Sequence, residues 1–306
     1  MEERYYSLNR YLREQFGEKV YKLALSAGMT CPNRDGTLGS GGCIFCSAGG
    51  SGDFAEGPCA SLRDQLDRAK ARIRQKTDAR KFIAYFQSYT NTYAPVERLE
   101  QIFGEVMEEP DIVALSIATR PDCLGDDVLD LLIRLNRRKP VWVELGLQTI
   151  HERTATYIRR GYPLEVYDDA VRRLKTAGIQ VITHVILGLP GETKGDMLAT
   201  IDHLSGEDRP NGIKLQLLHV LKGTDLAKDY ERGLFAAMEM EEYLDVLFEC
   251  IQRLPEDVVI HRLTGDGAKR DLIAPLWTGD KKRVMNTLRR EMDHRDIRQG
   301  SAARLG

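Results

Sequence analysis

Val20-Tyr21-Lys22-Leu23-Ala24-Leu25 opens a series of six short apolar runs, and the spacing of that series decides the fold. The others cover 82–86, 112–117, 141–147, 181–187 and 213–218, with a weaker seventh at 258–260. Runs of this length bounded by turn residues read as strands. The stretches between them carry apolar residues at helical spacing, such as Leu62, Leu66, Ala69, Ile73 and Tyr167, Ala170, Val171, Leu174, and these stripes are core faces. From the second run onward, starts are about 30 to 40 residues apart, the length of a strand-helix unit in a parallel sheet. The expected fold is α/β: a partial (β/α)6 TIM-like barrel over residues 19–230, with an N-terminal extension at 1–18 and a C-terminal extension of helix and strand at 231–306. Such barrels bind ligands at the C-terminal ends of the strands. A doubly wound open sheet is the competing architecture.

Composition sets limits on class. The chain has 306 residues, a net charge of -2, 42% apolar and 29% charged residues, which excludes disordered, collagen-like and disulfide-scaffold proteins. No apolar run approaches the ~18 residues of a membrane span, and the first residues lack the basic-then-apolar pattern of a leader. A cytoplasmic protein without membrane contact is expected. Near-neutral charge argues against indiscriminate coating of nucleic acid. Locally, however, residues 63–81 and 281–304 each hold eight Lys/Arg against three acids. Such patches either follow a phosphate backbone or are solvated helix faces.

The interval after the first run is about twice the usual length, and the excess holds Cys31-Pro32-Asn33-Arg34-Asp35-Gly36-Thr37-Leu38-Gly39-Ser40-Gly41-Gly42-Cys43-Ile44-Phe45-Cys46. A Cys-x2-Cys pair lets two thiolates grip one metal centre from a tight turn, and the third closes the loop. Three ligands suit a [4Fe-4S] cluster with one iron open for chemistry, whereas a structural zinc wants four. Cys59 is the candidate fourth zinc ligand, or else a packed residue at the start of a helix. Cys250 sits on a helical apolar pattern and reads as a buried, inert thiol.

A three-cysteine loop after the first strand of a β/α series resembles the radical S-adenosylmethionine (SAM) superfamily. The first gap is eleven residues instead of that superfamily's common three. Tripling the loop costs roughly 1 kcal/mol of closure entropy, against about 10 kcal/mol for metal-thiolate binding. A long first gap opening Cys-Pro is similar to the branch containing the radical subunit of Elongator, the tRNA wobble-uridine enzyme. Four further segments carry the likeness: 118–122 (Ala-Thr-Arg-Pro-Asp), 143–149 (Val-Glu-Leu-Gly-Leu-Gln-Thr), 160–162 (Arg-Gly-Tyr) and 184–191 (His-Val-Ile-Leu-Gly-Leu-Pro-Gly), followed by Lys222-Gly223-Thr224-Asp225-Leu226. The match spans about residues 20 to 230 and looks like a bacterial relative of Elongator without its acetyltransferase domain.

The resemblance implies that Cys31, Cys43 and Cys46 hold a [4Fe-4S] cluster and that SAM completes the fourth iron. Reduction by a one-electron donor, such as a flavodoxin or ferredoxin, would cleave SAM and yield a 5'-deoxyadenosyl radical. Strand alternation puts Trp142, Glu144, Gly146 and Gln148 on one face and Val141, Val143, Leu145 and Leu147 on the other. The apolar face meets helices, so Glu144 and Gln148 point inward, where SAM ribose hydroxyls are natural partners; an internal salt bridge with Arg120 is the alternative for Glu144. Ser116 and Arg120 share a face by the same argument. Arg120 or Arg160 would pair with the SAM carboxylate. Gln87 stands where the superfamily has a Gly-Gly-Glu-type turn for the SAM amine, although the Glu is missing. Gly188 allows close approach near adenine, and His184 is either a site residue or a satisfied core histidine. Lys214, Gln216 and His219 are candidate substrate contacts, with tRNA as the implied substrate. Tyr5, Tyr6 and Tyr11 either stack on unpaired bases or close the barrel bottom.

Overall fold

The computed structural model describes residues 3–50, 61–265, 267 and 269–303. All six strong runs form strands: β1 Val20–Leu25, β2 Lys81–Phe86, β3 Ile112–Thr119, β4 Val141–Gln148, β5 Gln180–Leu187 and β6 Gly212–Leu217. A short strand, β7 Val220–Leu221, follows. The weak seventh run becomes β8 Val259–Arg262, one residue downstream of its expected start. The main sheet is parallel in the order β1-β2-β3-β4-β5-β6-β8, so the curled partial barrel has seven strands, one more than the strong runs predict. β7 pairs antiparallel with β9 Leu272–Ala274.

The helices are α1 Leu8–Phe16, α2 Leu62–Arg74, α3 Val96–Glu108, α4 Asp126–Asn136, α5 Glu152–Tyr157, α6 Leu164–Thr176, α7 Lys194–Leu204, α8 Asp225–Glu231, α9 Met240–Arg253 and α10 Lys281–His294. Their starts follow side-chain chemistry. Ser61, Thr224 and Asp280 cap α2, α8 and α10, and Thr193 with Asp196 makes a full capping box on α7. Val141, Val143, Leu145 and Leu147 bury against the helical layer, as the alternation predicts. Among the described residues no helix is long and apolar enough to cross a membrane.

The inner face is divided by depth. At the bottom, Trp142 packs with Leu12, Val20, Ile83, Ala114 and Ile182. Tyr11 meets Trp142 edge-on at 5.8 Å and hydrogen-bonds Gln180, so α1 is a floor and Tyr11 is no free stacking surface. The outer edge of β8 is covered by the segment before α1, through the Ser7–Ile260 bridge and the bond from Ile260 N to Tyr6 O. Gln299, itself buried, accepts from Tyr6 N and donates to the Pro255 and Val258 carbonyls. The first basic segment is less basic outside than its composition suggests. Lys70 turns inward and pairs with Glu109 and Asp111 because α2 lies against the loop that carries them.

Candidate active site

The loop after β1 is shaped by its own backbone. Arg34 N returns to Cys31 O (2.8 Å), Leu38 N to Pro32 O (2.8 Å), Gly42 N to Asn33 O (2.7 Å) and Cys46 N to Cys43 O (3.0 Å). Asn33 Nδ2 donates to Arg159 O at 2.7 Å and reaches Cys43 Sγ at 3.6 Å. Arg34 Nη2 donates to Ser47 O at 2.6 Å and Cys46 O at 3.1 Å. Gly42 has φ +73°, and a Cβ there would lie 2.9 Å from Arg34 Nε. Only glycine fits that crossing without moving the arginine.

This folding puts Cys31, Cys43 and Cys46 on the wall of one cavity of about 250 Å³ at the C-terminal ends of the strands. Burial pushes the Cys43 thiol up to about 12, and the neighbouring Cys46 adds to the rise. Such a thiol gives up its proton when a metal takes its place. Three soft sulfur donors on one cavity wall fit a cluster held by three ligands. Among the described residues no three His, Cys, Asp or Glu side chains are gathered as the ligands of a single metal ion would be. Cys59, the candidate fourth zinc ligand, lies outside the described residues.

Below the cysteines, the strands contribute a continuous polar layer: Lys22 from β1, Tyr85 from β2, Ser116 from β3, Glu144 from β4, His184 from β5, Lys214 from β6 and Arg262 from β8. The parallel registers Tyr85 with Ser116, His184 with Lys214, and Lys214 with Arg262 align them. Glu144 is the hub, with its side chain fully buried. Its Oε1 accepts from Lys22 Nζ and Ser116 Oγ, both at 2.7 Å. Its Oε2 accepts from His184 Nε2 at 2.7 Å and from Lys214 Nζ. Burial resists ionisation of Glu144, yet Lys214 and Lys22 hold its carboxyl well below the usual range. Burial, reinforced by Lys214, brings His184 down to about 4, so the imidazole is neutral and donates through Nε2. Burial also lowers Lys214 to about 7, with Lys22 and Arg262 adding to the fall and Glu144 opposing it.

The structure brings Gln87, Arg120, Glu144, Gln148, Arg160, His184, Lys214, Gln216 and His219 onto the same wall as the cysteines. Ser116 joins them through Glu144. Arg120 does not meet Glu144. Its guanidinium grips Asp122 in a fork at 2.9 and 2.7 Å, and its Nη1 donates to Arg160 O. Arg160 is spent on the Tyr162, Leu147 and Thr149 carbonyls and on Glu152, which fixes the turn between β4 and α6. Gln148 sits at a bulge with φ +65°, and its amide fills the place a Cβ on Gly146 would take, 2.5 Å away. Gly188 has φ +83°. It is absent from the cavity wall, and the space beside it belongs to Met238, whose sulfur lies 2.8 Å from a hypothetical Cβ. Lys22, Tyr85 and Arg262 escape sequence reasoning, although for Lys22 a charge inside an apolar run is a visible signal.

Comparison with known proteins agrees with this geometry. Residues 31–204 match the Radical SAM superfamily and residues 210–294 the Radical_SAM C-terminal domain. The chain is 46% identical to the Bacillus subtilis "Uncharacterized protein YtqA", covering 98% of this chain and 92% of that one. It is 24% identical to the Methanocaldococcus jannaschii "tRNA uridine(34) acetyltransferase", covering 83% of this chain and 53% of that longer protein. Among solved structures, a Methanocaldococcus infernus Elp3 with an N-terminal deletion superposes with a TM-score of 0.68 at 19% identity, over 92% of this chain and 64% of that one, a likeness of fold. With its loop thiols, seven-stranded partial barrel and a family match over more than half its length, the chain belongs to the radical SAM superfamily.

Proposed function

We propose that this radical SAM enzyme modifies the side chain of a tRNA wobble uridine, such as a carboxymethylaminomethyl group. The observation that carries an enzymatic reading is the meeting of three loop thiols and the Glu144 layer on one cavity wall. The kinship to a tRNA uridine(34) acetyltransferase supports the tRNA substrate.

Cys31, Cys43 and Cys46 would hold the [4Fe-4S] cluster. With SAM and a one-electron donor such as a flavodoxin or ferredoxin, a cluster held there would supply reductive cleavage of the sulfonium and hence 5'-deoxyadenosyl radical chemistry for hydrogen abstraction. The chain's own residues bind, orient and exclude water. Gln87 and Gln148 present amides to the SAM side of the cavity. Glu144 holds Lys214, Lys22 and neutral His184 in place, so that Lys214 faces substrate as a preset donor and His184 Nδ1 as an acceptor. Gln216 near the end of β6 and His219 just beyond it extend that wall.

Anaerobically reconstituted protein is expected to carry about four irons per chain and, with dithionite and SAM, to form methionine and 5'-deoxyadenosine. Cys31→Ala, Cys43→Ala and Cys46→Ala should each abolish both. Colourless protein with one zinc, or a verified cluster that leaves SAM intact, refutes the radical reading. Modified nucleosides in tRNA from a strain lacking the gene test the substrate, and an unchanged profile refutes tRNA.

A further inference from the structure

Lys222-Gly223-Thr224-Asp225-Leu226 follows β7, and none of the five lies on the described wall of the cysteine cavity. Their contacts run to the cysteine loop instead. Lys222 N donates to Asp271 O at 2.8 Å, beside the β7–β9 pair, and Gly223 turns the chain at φ +76°. Buried Thr224 caps α8: its Oγ1 accepts from Ala227 N at 3.1 Å and donates to Leu221 O at 2.8 Å. Another amide of the first helical turn, Leu226 N, needs an acceptor outside the helix. It finds Ile44 O at 2.9 Å.

Ile44 stands between Cys43 and Cys46, in the tight turn that carries two of the three thiols. Both of its backbone groups are engaged from outside the loop, because Ile44 N also donates to Ile158 O at 3.3 Å. Its side chain shares a small apolar core with Ile158, Ile186, Leu218 and Leu226. A second tie lies beside this one. Asp225 Oδ1 accepts from Lys228 of its own helix at 2.8 Å, while Oδ2 accepts from Arg159 Nη1 at 2.7 Å. Arg159 has φ +58°, a left-handed conformation that is costly for a residue with a side chain and persists where surrounding contacts fix it. Its carbonyl is the acceptor for Asn33 Nδ2, the group that reaches Cys43 Sγ. One segment from beyond β6 therefore meets the Cys43–Cys46 turn twice, through Ile44 and through Arg159 with Asn33. The loop has need of such support. It contains Gly36, Gly39, Gly41 and Gly42, and glycines enlarge the conformational freedom that an ordered loop gives up.

We propose that Thr224, Asp225 and Leu226 are positioning residues for the cluster: they latch the Cys43–Cys46 turn in its ligating shape and slow the loss of iron from it. The inference rests on the reading that Cys31, Cys43 and Cys46 hold that cluster. Coupling between two parts of one protein is reciprocal, so a bound cluster steadies the start of α8 in return.

The test challenges the anaerobically reconstituted full-length protein with a ferrous chelator and times iron release by absorbance, beside the thermal midpoint of each iron-free protein. Asp225→Asn and Arg159→Gln alter an ion pair with exposures of 37% and 50%. Each should release iron about two- to fivefold faster, with iron-free midpoints within about 2 °C of wild type. Thr224→Val should release iron about fivefold faster, and Thr224→Ser, which keeps the capping hydroxyl, should restore the wild-type rate. Asp257→Asn breaks the exposed pair with Arg209 ahead of β8 and β6, at the opposite end of the strands, and should change nothing. In hydrogen exchange, the amides of residues 224–228 should exchange severalfold more slowly in loaded than in iron-free wild type. Wild-type release rates in both Asp225→Asn and Arg159→Gln, equal acceleration in Asp257→Asn, or exchange at 224–228 that ignores loading overturns the latch. A wild-type chain that takes up no iron, or a Cys43→Ala chain that takes up as much as wild type, refutes the cluster reading and the latch with it.

Discussion

Replacing the hub of the polar layer tests the electrostatics directly. In Glu144→Gln the side chain keeps its shape, but Lys22 and Lys214 lose the only carboxylate they share in the layer. Removing one partner of a buried ion pair costs about 3–5 kcal/mol, because it leaves uncompensated charge in the interior. The loss should depend on pH. Lys214 titrates at about 7 in the folded protein and near 10.4 when unfolded. Between these values the unfolded chain binds more protons, so this lysine makes stability rise with pH, by at most about 1.4 kcal/mol per unit. Without Glu144 its folded value falls further. At pH 6 wild type then holds an attracted ammonium where the variant holds a destabilised one or a neutral amine; by pH 9 both are neutral. The penalty should therefore be largest near pH 6 and shrink by roughly 1–2 kcal/mol at pH 9, leaving the Lys22 and hydrogen-bond contributions. Urea unfolding at the two pH values measures it. Equal midpoints for the two proteins at pH 6, or a penalty that grows with pH, would refute the reasoning.

Gly42→Ala forces a Cβ against the Arg34 guanidinium at a positive φ, and should reduce iron retained after reconstitution to well below wild type while the thermal midpoint of the iron-free protein moves by only a few degrees, about 1 kcal/mol. Leu12→Ala, in the floor at 4% exposure, should cost about 2–5 kcal/mol in urea; a change under 1 kcal/mol would show that α1 is not packed as a floor. Gln299→Ala leaves Tyr6 N and the Pro255 and Val258 carbonyls without their partner, and about 1–3 kcal/mol should go, with faster amide exchange in residues 5–8.

The strands were legible because a parallel sheet buried on both faces demands continuous apolar runs, and the cysteine loop because three thiols in sixteen residues have few structural uses. The alternation of β4 located Glu144 and Gln148 correctly on the inner face. What it could not convey was partnership. Glu144 meets Lys22 and Lys214 only because the curled sheet brings residues from distant strands to one height. Arg120 found its carboxylate two residues away in Asp122, a local fork that competes with any long-range pair. β8 was faint since two of its four residues, His261 and Arg262, are polar and face the interior. At Gly188 the sequence shows the backbone freedom but not the neighbour, since Met238 comes from a later segment.

The floor also constrains how the chain folds during synthesis. α1 leaves the ribosome before the strands, yet its seat includes β8, and the segment before it waits for Ile260 and Gln299. Until those residues emerge, the apolar stripe of α1 and the bottom of the nascent sheet have no lasting cover. Such widely separated contacts slow folding and prolong exposure to chaperones, so substitutions at Leu12 or Gln299 should lower the yield of native protein in cells more than their equilibrium cost alone implies.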